Sequence, residues 1–132
     1  MGEFMPRVSA SFFTVGALCV LVGMFWGMHM GAASDFQLAP AHAHLNLLGW
    51  VTMALYGTFY ALTAQTMSPR LAWTNFLLSL AGILVMIPSL AIFLATSNKD
   101  LIKVMVVGEV LSVLALLTFL ISVFRELARK RT

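Results

Sequence analysis

The sequence predicts an all-α integral membrane protein, a four-helix bundle whose consecutive helices run antiparallel. Of its 132 residues 61% are hydrophobic and only 10% are charged, whereas a water-soluble domain has a charged fraction of about 25%. The mean hydropathy is +0.95. Four stretches of about 20 predominantly apolar residues, each long enough to cross a bilayer, are separated by short connections, which make consecutive helices antiparallel neighbours.

These stretches place the four helices at about residues 8–30, 42–65, 71–95 and 101–124 of a single domain that spans residues 5–132. Gly2, Glu3 and Phe4, ahead of Met5, have the character of a cloning remnant. The first stretch is longer than the apolar core of a signal peptide, and no clear small-residue cleavage site follows it. We therefore expect it to span the membrane.

The basic residues predict the orientation of the bundle. Two of them, Lys99 and Lys103, fall on one side of a four-pass chain, and six fall on the other: Arg7, Arg70, Arg125, Arg129, Lys130 and Arg131. Because positive charge favours the cytoplasmic side, both termini are expected in the cytoplasm, with the chain in the inner membrane of a bacterium. The basic side chains lie at helix ends, a distribution that is typical of contact with lipid headgroups and not of nucleic-acid binding.

All three histidines are predicted on one side of the membrane. His42 and His44 stand where the second apolar stretch begins, and His29 lies near the end of the first. Neutral imidazole binds zinc, copper and haem iron. The outer, periplasmic side is therefore expected to carry a haem or metal site, unless each histidine simply forms hydrogen bonds at the interface.

The second helix has a patterned face. At a period of 3.6 residues, one face carries a polar stripe that we expect to contact protein: His42, Asn46, Gly49, Met53, Tyr56 and Tyr60. If both histidines are helical, His44 points roughly 200° away from His42. If the helix instead begins at His44, then His42 belongs to the preceding loop and could turn back to the same site.

Three ligand sets remain open from the residues. A bundle of facing helices can hold a haem between axial histidines. Copper is the second chemistry, since Met28, His29 and Met30 combine thioethers with an imidazole. Zinc is the third, and its ligands would be His29, Asp35, His42 and His44.

Two further features of the apolar stretches carry predictions. Gly23, Gly27 and Gly31 recur at every fourth position and allow close helix packing, either within the chain or with another copy. Glu109 is an intramembrane carboxylate, which predicts a functional group. Its alternative is a neutral packing residue that is hydrogen-bonded to Ser112 or to another nearby hydroxyl.

The second helix also resembles a known family. The run His44-Leu45-Asn46-Leu47-Leu48 and the apolar stretch after it, through Gly57 and Tyr60, are similar to the second transmembrane helix of the haem–copper oxidase catalytic subunits, most nearly the nitric-oxide reductase and cbb-type branch. This resemblance implies that His44 is an axial ligand of a haem b. The family builds its dinuclear centre from later histidines, and this chain has none after His44, so we expect no independent oxidase activity.

The expected function is that of a small haem-b-binding protein in electron transfer, haem handling or sensing. The second axial ligand would be His29, His42, a group other than histidine, or a histidine of another copy in a homo-oligomer that shares the haem. Two alternatives stay open. The chain could bind copper or zinc through its outer histidines, or it could be a structural or assembly subunit of a respiratory-chain complex.

Overall fold

The computed structural model describes residues 4–130 and is all-α, with four long helices. They are α1 (Arg7–Ala33), α2 (Ala39–Leu62), α3 (Pro69–Thr96) and α4 (Leu101–Leu127). Each is long and apolar enough to cross a membrane, which confirms the predicted four-helix membrane protein. Gly2, Glu3 and Arg131, which entered the predictions above, lie outside the described residues.

The second helix begins earlier than predicted. It starts at Ala39, with Pro40 in its first turn, where the missing backbone N–H costs no intrahelical hydrogen bond. His42 and His44 are therefore both helical. The alternative in which His42 belongs to a loop and turns back beside His44 is wrong.

The middle of α2 is a π-helix over Leu45–Thr52. The Thr52 hydroxyl donates to the Leu47 carbonyl, five residues earlier, over 2.8 Å. Buried positions recur at every fourth residue through this segment and then return to closer spacing: Ala41, Leu45, Gly49, Met53, Tyr56, Gly57 and Tyr60. The predicted polar stripe does contact protein, although its first two members, His42 and Asn46, are only half-buried.

An aromatic core joins the four helices. Phe12, near the start of α1, stacks on Tyr60 with ring centroids 5.7 Å apart and meets Phe76 edge-on at 5.2 Å. Phe119 of α4 packs against Tyr56 at 4.6 Å. Phe12 and Tyr60 are fully buried, so this cluster fixes the helices at the end of the bundle away from the histidines.

Close contacts also hold the other end together. Helices α3 and α4 form the most extensive helix pair, and they approach so closely that a Cβ atom on Gly108 would lie 2.6 Å from the Cβ of Met86. The Gln37 side chain donates to the Leu94 carbonyl over 2.8 Å. This bond brings the connection 34–38 beside the connection 97–100, and we call this end of the bundle the histidine end.

Candidate functional site

His42 faces the neighbouring helix α1. Its Nε2 lies 2.9 Å from the carbonyl oxygen of Gly23, and its ring meets Trp26 edge-on, with centroids 6.0 Å apart and an interplanar angle of 87°. The imidazole is half-buried. Because a carbonyl only accepts, the Nε2–H of a neutral His42 is the donor in this contact.

Asn46 completes a small polar cluster with His42. Its Nδ2 lies 3.2 Å from Nε2 of His42, while its Oδ1 is buried without a partner among the described residues. A protonated Nε2 cannot accept from an amide N–H. If the Asn46 amide is turned over, its Oδ1 accepts from Nε2–H of His42, and this proton is then shared between Oδ1 and the Gly23 carbonyl oxygen. The hydrogen-bond network favours this assignment. His42 therefore joins α2 to α1 and has no free Nε2.

The glycines of α1 explain how the two helices come so close. A Cβ atom on Gly23 would overlap the Asn46 amide, and one on Gly27 would lie 3.0 Å from Nε2 of His42. A Cβ on Gly31 would meet nothing within 4 Å. The packing partner of the first two glycines is thus α2 of the same chain, whereas Gly31 is left open.

His44 has the opposite environment. Its side chain is exposed, and its Nδ1 lies 2.7 Å from the carbonyl oxygen of Pro40. Nδ1–H donates in this bond, so that Nε2 of the neutral ring carries the lone pair. The exposed face of α2 beyond it is apolar, with Leu47, Val51 and Leu55 exposed by 59%, 43% and 63%. His44 therefore presents an oriented nitrogen lone pair on the exposed apolar side of the bundle.

His29 lies near the end of α1 and is exposed. The neighbouring methionines do not share one environment with it, since Met28 is 68% exposed and Met30 only 7%. Successive residues of a helix point about 100° apart. Met30 consequently faces the protein while Met28 and His29 face outward.

The predicted zinc ligands also lie apart. Asp35 belongs to the connection 34–38, where its Oδ1 accepts from the Gln37 backbone N–H over 3.0 Å. Between residues 4 and 130 no three His, Cys, Asp or Glu side chains come together as a metal-binding group. In a single copy the three histidines share one end of the bundle but not one site.

Glu109 lies on the exposed side of α4. It is not bonded to Ser112, whose hydroxyl donates instead to the Gly108 carbonyl over 2.9 Å. The expected bond to Ser112 is therefore absent, and no hydroxyl among the described residues donates to Glu109. Within the described residues Glu109 is a carboxylate that the rest of its own bundle does not cover.

A second polar cluster was not predicted. The Tyr60 hydroxyl lies 3.1 Å from the Ser122 hydroxyl and accepts from Asn75 Nδ2 over 3.2 Å, and Ser79 donates to Asn75 Oδ1 over 3.2 Å. This cluster ties α2, α3 and α4 together inside the core. Asn75 was the available signal, because an amide within an apolar stretch needs buried partners.

Comparison with known proteins places no further constraint on the site: no family model matches the chain, and no match is found among curated proteins or solved structures.

Proposed function

We propose that this is a small haem-b-binding membrane protein, active in electron transfer, haem handling or sensing, with His44 as an axial ligand. The observation that supports the proposal is the state of the His44 ring, which is exposed and held through Nδ1 by the Pro40 carbonyl. A metal-ligating histidine typically donates its other ring N–H to such an acceptor, which fixes the tautomer and the ring plane.

The surroundings of His44 fit a largely apolar macrocycle. Leu47 and Val51 continue the exposed apolar face of α2 beside it, so a haem held by His44 would meet hydrocarbon side chains there. When bound, the haem would supply one-electron chemistry or ligand binding at its iron. The protein would supply the ligand nitrogen at His44 and the apolar wall.

His42 is not the axial ligand in this proposal, because its ring is half-buried against Trp26 of α1 and its Nε2–H is held by the Gly23 carbonyl, so that it does not share the exposed face of His44. Its role in this proposal is to hold α2 against α1 and thereby to set the direction in which His44 projects. A single copy then offers one axial histidine on this face. The second axial position is left to a histidine of another copy or to an exogenous ligand.

Haem reconstitution in lipid nanodiscs tests the proposal. The wild-type protein should give a Soret band, His44→Ala should abolish it, and the matched variant His29→Ala should keep it. An unchanged spectrum in His44→Ala contradicts the proposal, and bound copper or zinc without haem favours the metal alternative. A low-spin spectrum that grows with protein concentration identifies a second copy as the source of the other ligand.

We further propose that consecutive helices are antiparallel, with both termini in the cytoplasm of a bacterium and the histidine end outside. The contact of Gln37 with Leu94 supports this at one end, and the bond from Thr66 to Glu126 Oε2, 2.7 Å long, supports it at the other. The excess of basic residues near the termini favours the orientation. In a Cys19→Ala background, a membrane-impermeant thiol reagent should label Lys99→Cys in intact cells but not Arg129→Cys.

A further inference from the structure

An apolar groove with a volume of about 440 Å³ opens between α1 and α3. Leu18, Val22 and Cys19 line it from α1, and Leu84 and Pro88 line it from α3. Its edges face away from the bundle, since Leu18, Val22 and Leu84 are exposed by 58%, 56% and 63%. The groove is therefore a surface that some apolar partner covers in the membrane.

A histidine lies on the same side of α1, beyond the residues that line this groove. Leu18, Val22 and His29 lie at positions i, i+4 and i+11 of α1 and so share one stripe of the helix. His29 continues the stripe beyond Val22 towards the histidine end. It forms no hydrogen bond or ion pair with the described residues and is exposed.

Helix α4 carries a complementary stripe. Four exposed residues lie at i, i+4, i+7 and i+11 along it: Glu109, Val113, Leu116 and Leu120. Helix α4 is also the least covered of the four helices. Of its most apolar 18 residues 17% are buried, against 28–33% in the other three helices. Because an unpaired carboxylate facing lipid is costly, this stripe needs a partner that offers a polar group opposite Glu109.

The polar residues of the two stripes lie within about 6 Å of each other in depth. Counted from the helix ends at the histidine end, with a rise of about 1.5 Å per residue, His29 lies about 6 Å deep and Glu109 about 12 Å deep. Side chains lean towards the N-terminus of their helix, so Glu109 leans towards the histidine end and His29 leans away from it. Below them, Cys19 and Leu116 lie at about 21 and 22 Å.

We propose that α4 of a second copy of this chain lies in the groove between α1 and α3, with its Glu109 paired to His29. The pairing joins two copies because, within one copy, α1 packs chiefly on α2 and α3. The carboxylate and the imidazole pair beyond the end of the groove, and the apolar part of the α4 stripe fills its length. This inference concerns a different face from His44 and does not rest on haem binding.

The native Cys19 provides the decisive test. Leu116→Cys in native membranes, oxidised with copper phenanthroline, should form a disulfide with Cys19 of a second copy and give a covalent dimer or ladder. The product should vanish in Cys19→Ala/Leu116→Cys. Leu114→Cys is the matched control, because Leu114 is exposed at about the same depth but lies roughly 160° around the helix.

Absence of the product in Leu116→Cys, or equal product in Leu114→Cys, would overturn the proposal and leave lipid as the occupant of the groove.

A second measurement addresses the polar pair. Glu109→Gln and His29→Gln should each weaken self-association in detergent by about three- to twenty-fold, the range of hydrogen bonds between membrane helices. The double variant should lose no more than either single variant, and additive losses would contradict a direct pair.

Discussion

Replacement of the three α1 glycines by alanine should give a graded loss of stability. The added methyl of Gly23→Ala would overlap the Asn46 amide, that of Gly27→Ala would lie 3.0 Å from Nε2 of His42, and that of Gly31→Ala would meet nothing within 4 Å. The chemical change is the same at all three positions and each lies inside α1. Differences among the variants therefore report the space between α1 and α2.

The magnitude follows from two opposing terms. Alanine favours a helix over glycine by roughly 0.5–1 kcal/mol, whereas forcing a methyl into a packed interface typically costs about 1–3 kcal/mol. In Gly23→Ala the Asn46 side chain can rotate away from the added methyl, but it then loses its contact with His42. We expect Gly23→Ala to lose about 1–2 kcal/mol net, Gly27→Ala less, and Gly31→Ala to lose nothing.

Reversible unfolding in mixed micelles, followed by helical circular dichroism, measures these free energies. A matched double-mutant cycle adds a sharper criterion, since Asn46→Ala removes the group that the new methyl strikes. Gly23→Ala should then cost less in the Asn46→Ala background than in the wild type. If Gly23→Ala and Gly31→Ala have equal stability, the assigned contact between α1 and α2 is wrong.

Three further predictions concern packing and the histidines. Gly108→Ala should destabilise the protein more than Gly23→Ala, because its methyl would lie 2.7–2.8 Å from backbone atoms of Met86. Backbone atoms cannot rotate away as a side chain can. Equal losses of unfolding free energy in the same assay would contradict this prediction. Tyr60→Phe should cost about 0.5–1.5 kcal/mol, since Asn75 and Ser122 lose a buried partner, and a free energy of unfolding equal to that of the wild type would refute it. His42→Ala should lower stability yet retain the Soret band that His44→Ala loses, so loss of the band in both would show that the two histidines act together.

The membrane fold could be predicted because it depends on length and composition. Each predicted span of about 20 apolar residues contains enough hydrophobic surface to fix a helix in a bilayer whatever its neighbours are. The ends were less accurate, and α2 begins at Ala39 where His42 was expected. The signal there was Pro40, which fits a first helical turn as well as it fits a loop.

The candidate site could be predicted only in part. Helical geometry separated His42 from His44, and the structure places them in a half-buried and an exposed position. The partner of His42 could not be predicted, because it is the backbone carbonyl of Gly23. Every residue has such a group, so its role depends on how the helices pack and not on residue type.

The π-helical segment explains why His42 is half-buried and His44 is exposed. In a regular helix aligned on the buried Tyr60, His42 would lie about five turns away at the centre of the buried face. The wider turns of Leu45–Thr52 move Ala41 to that centre, where it is fully buried. His42 is thereby moved to the flank of the face, within reach of the α1 backbone, and His44 stays outside. An assumed period of 3.6 residues along the whole helix does not include this shift. The shift nevertheless decides which imidazole packs against α1 and which remains exposed and available for a ligand.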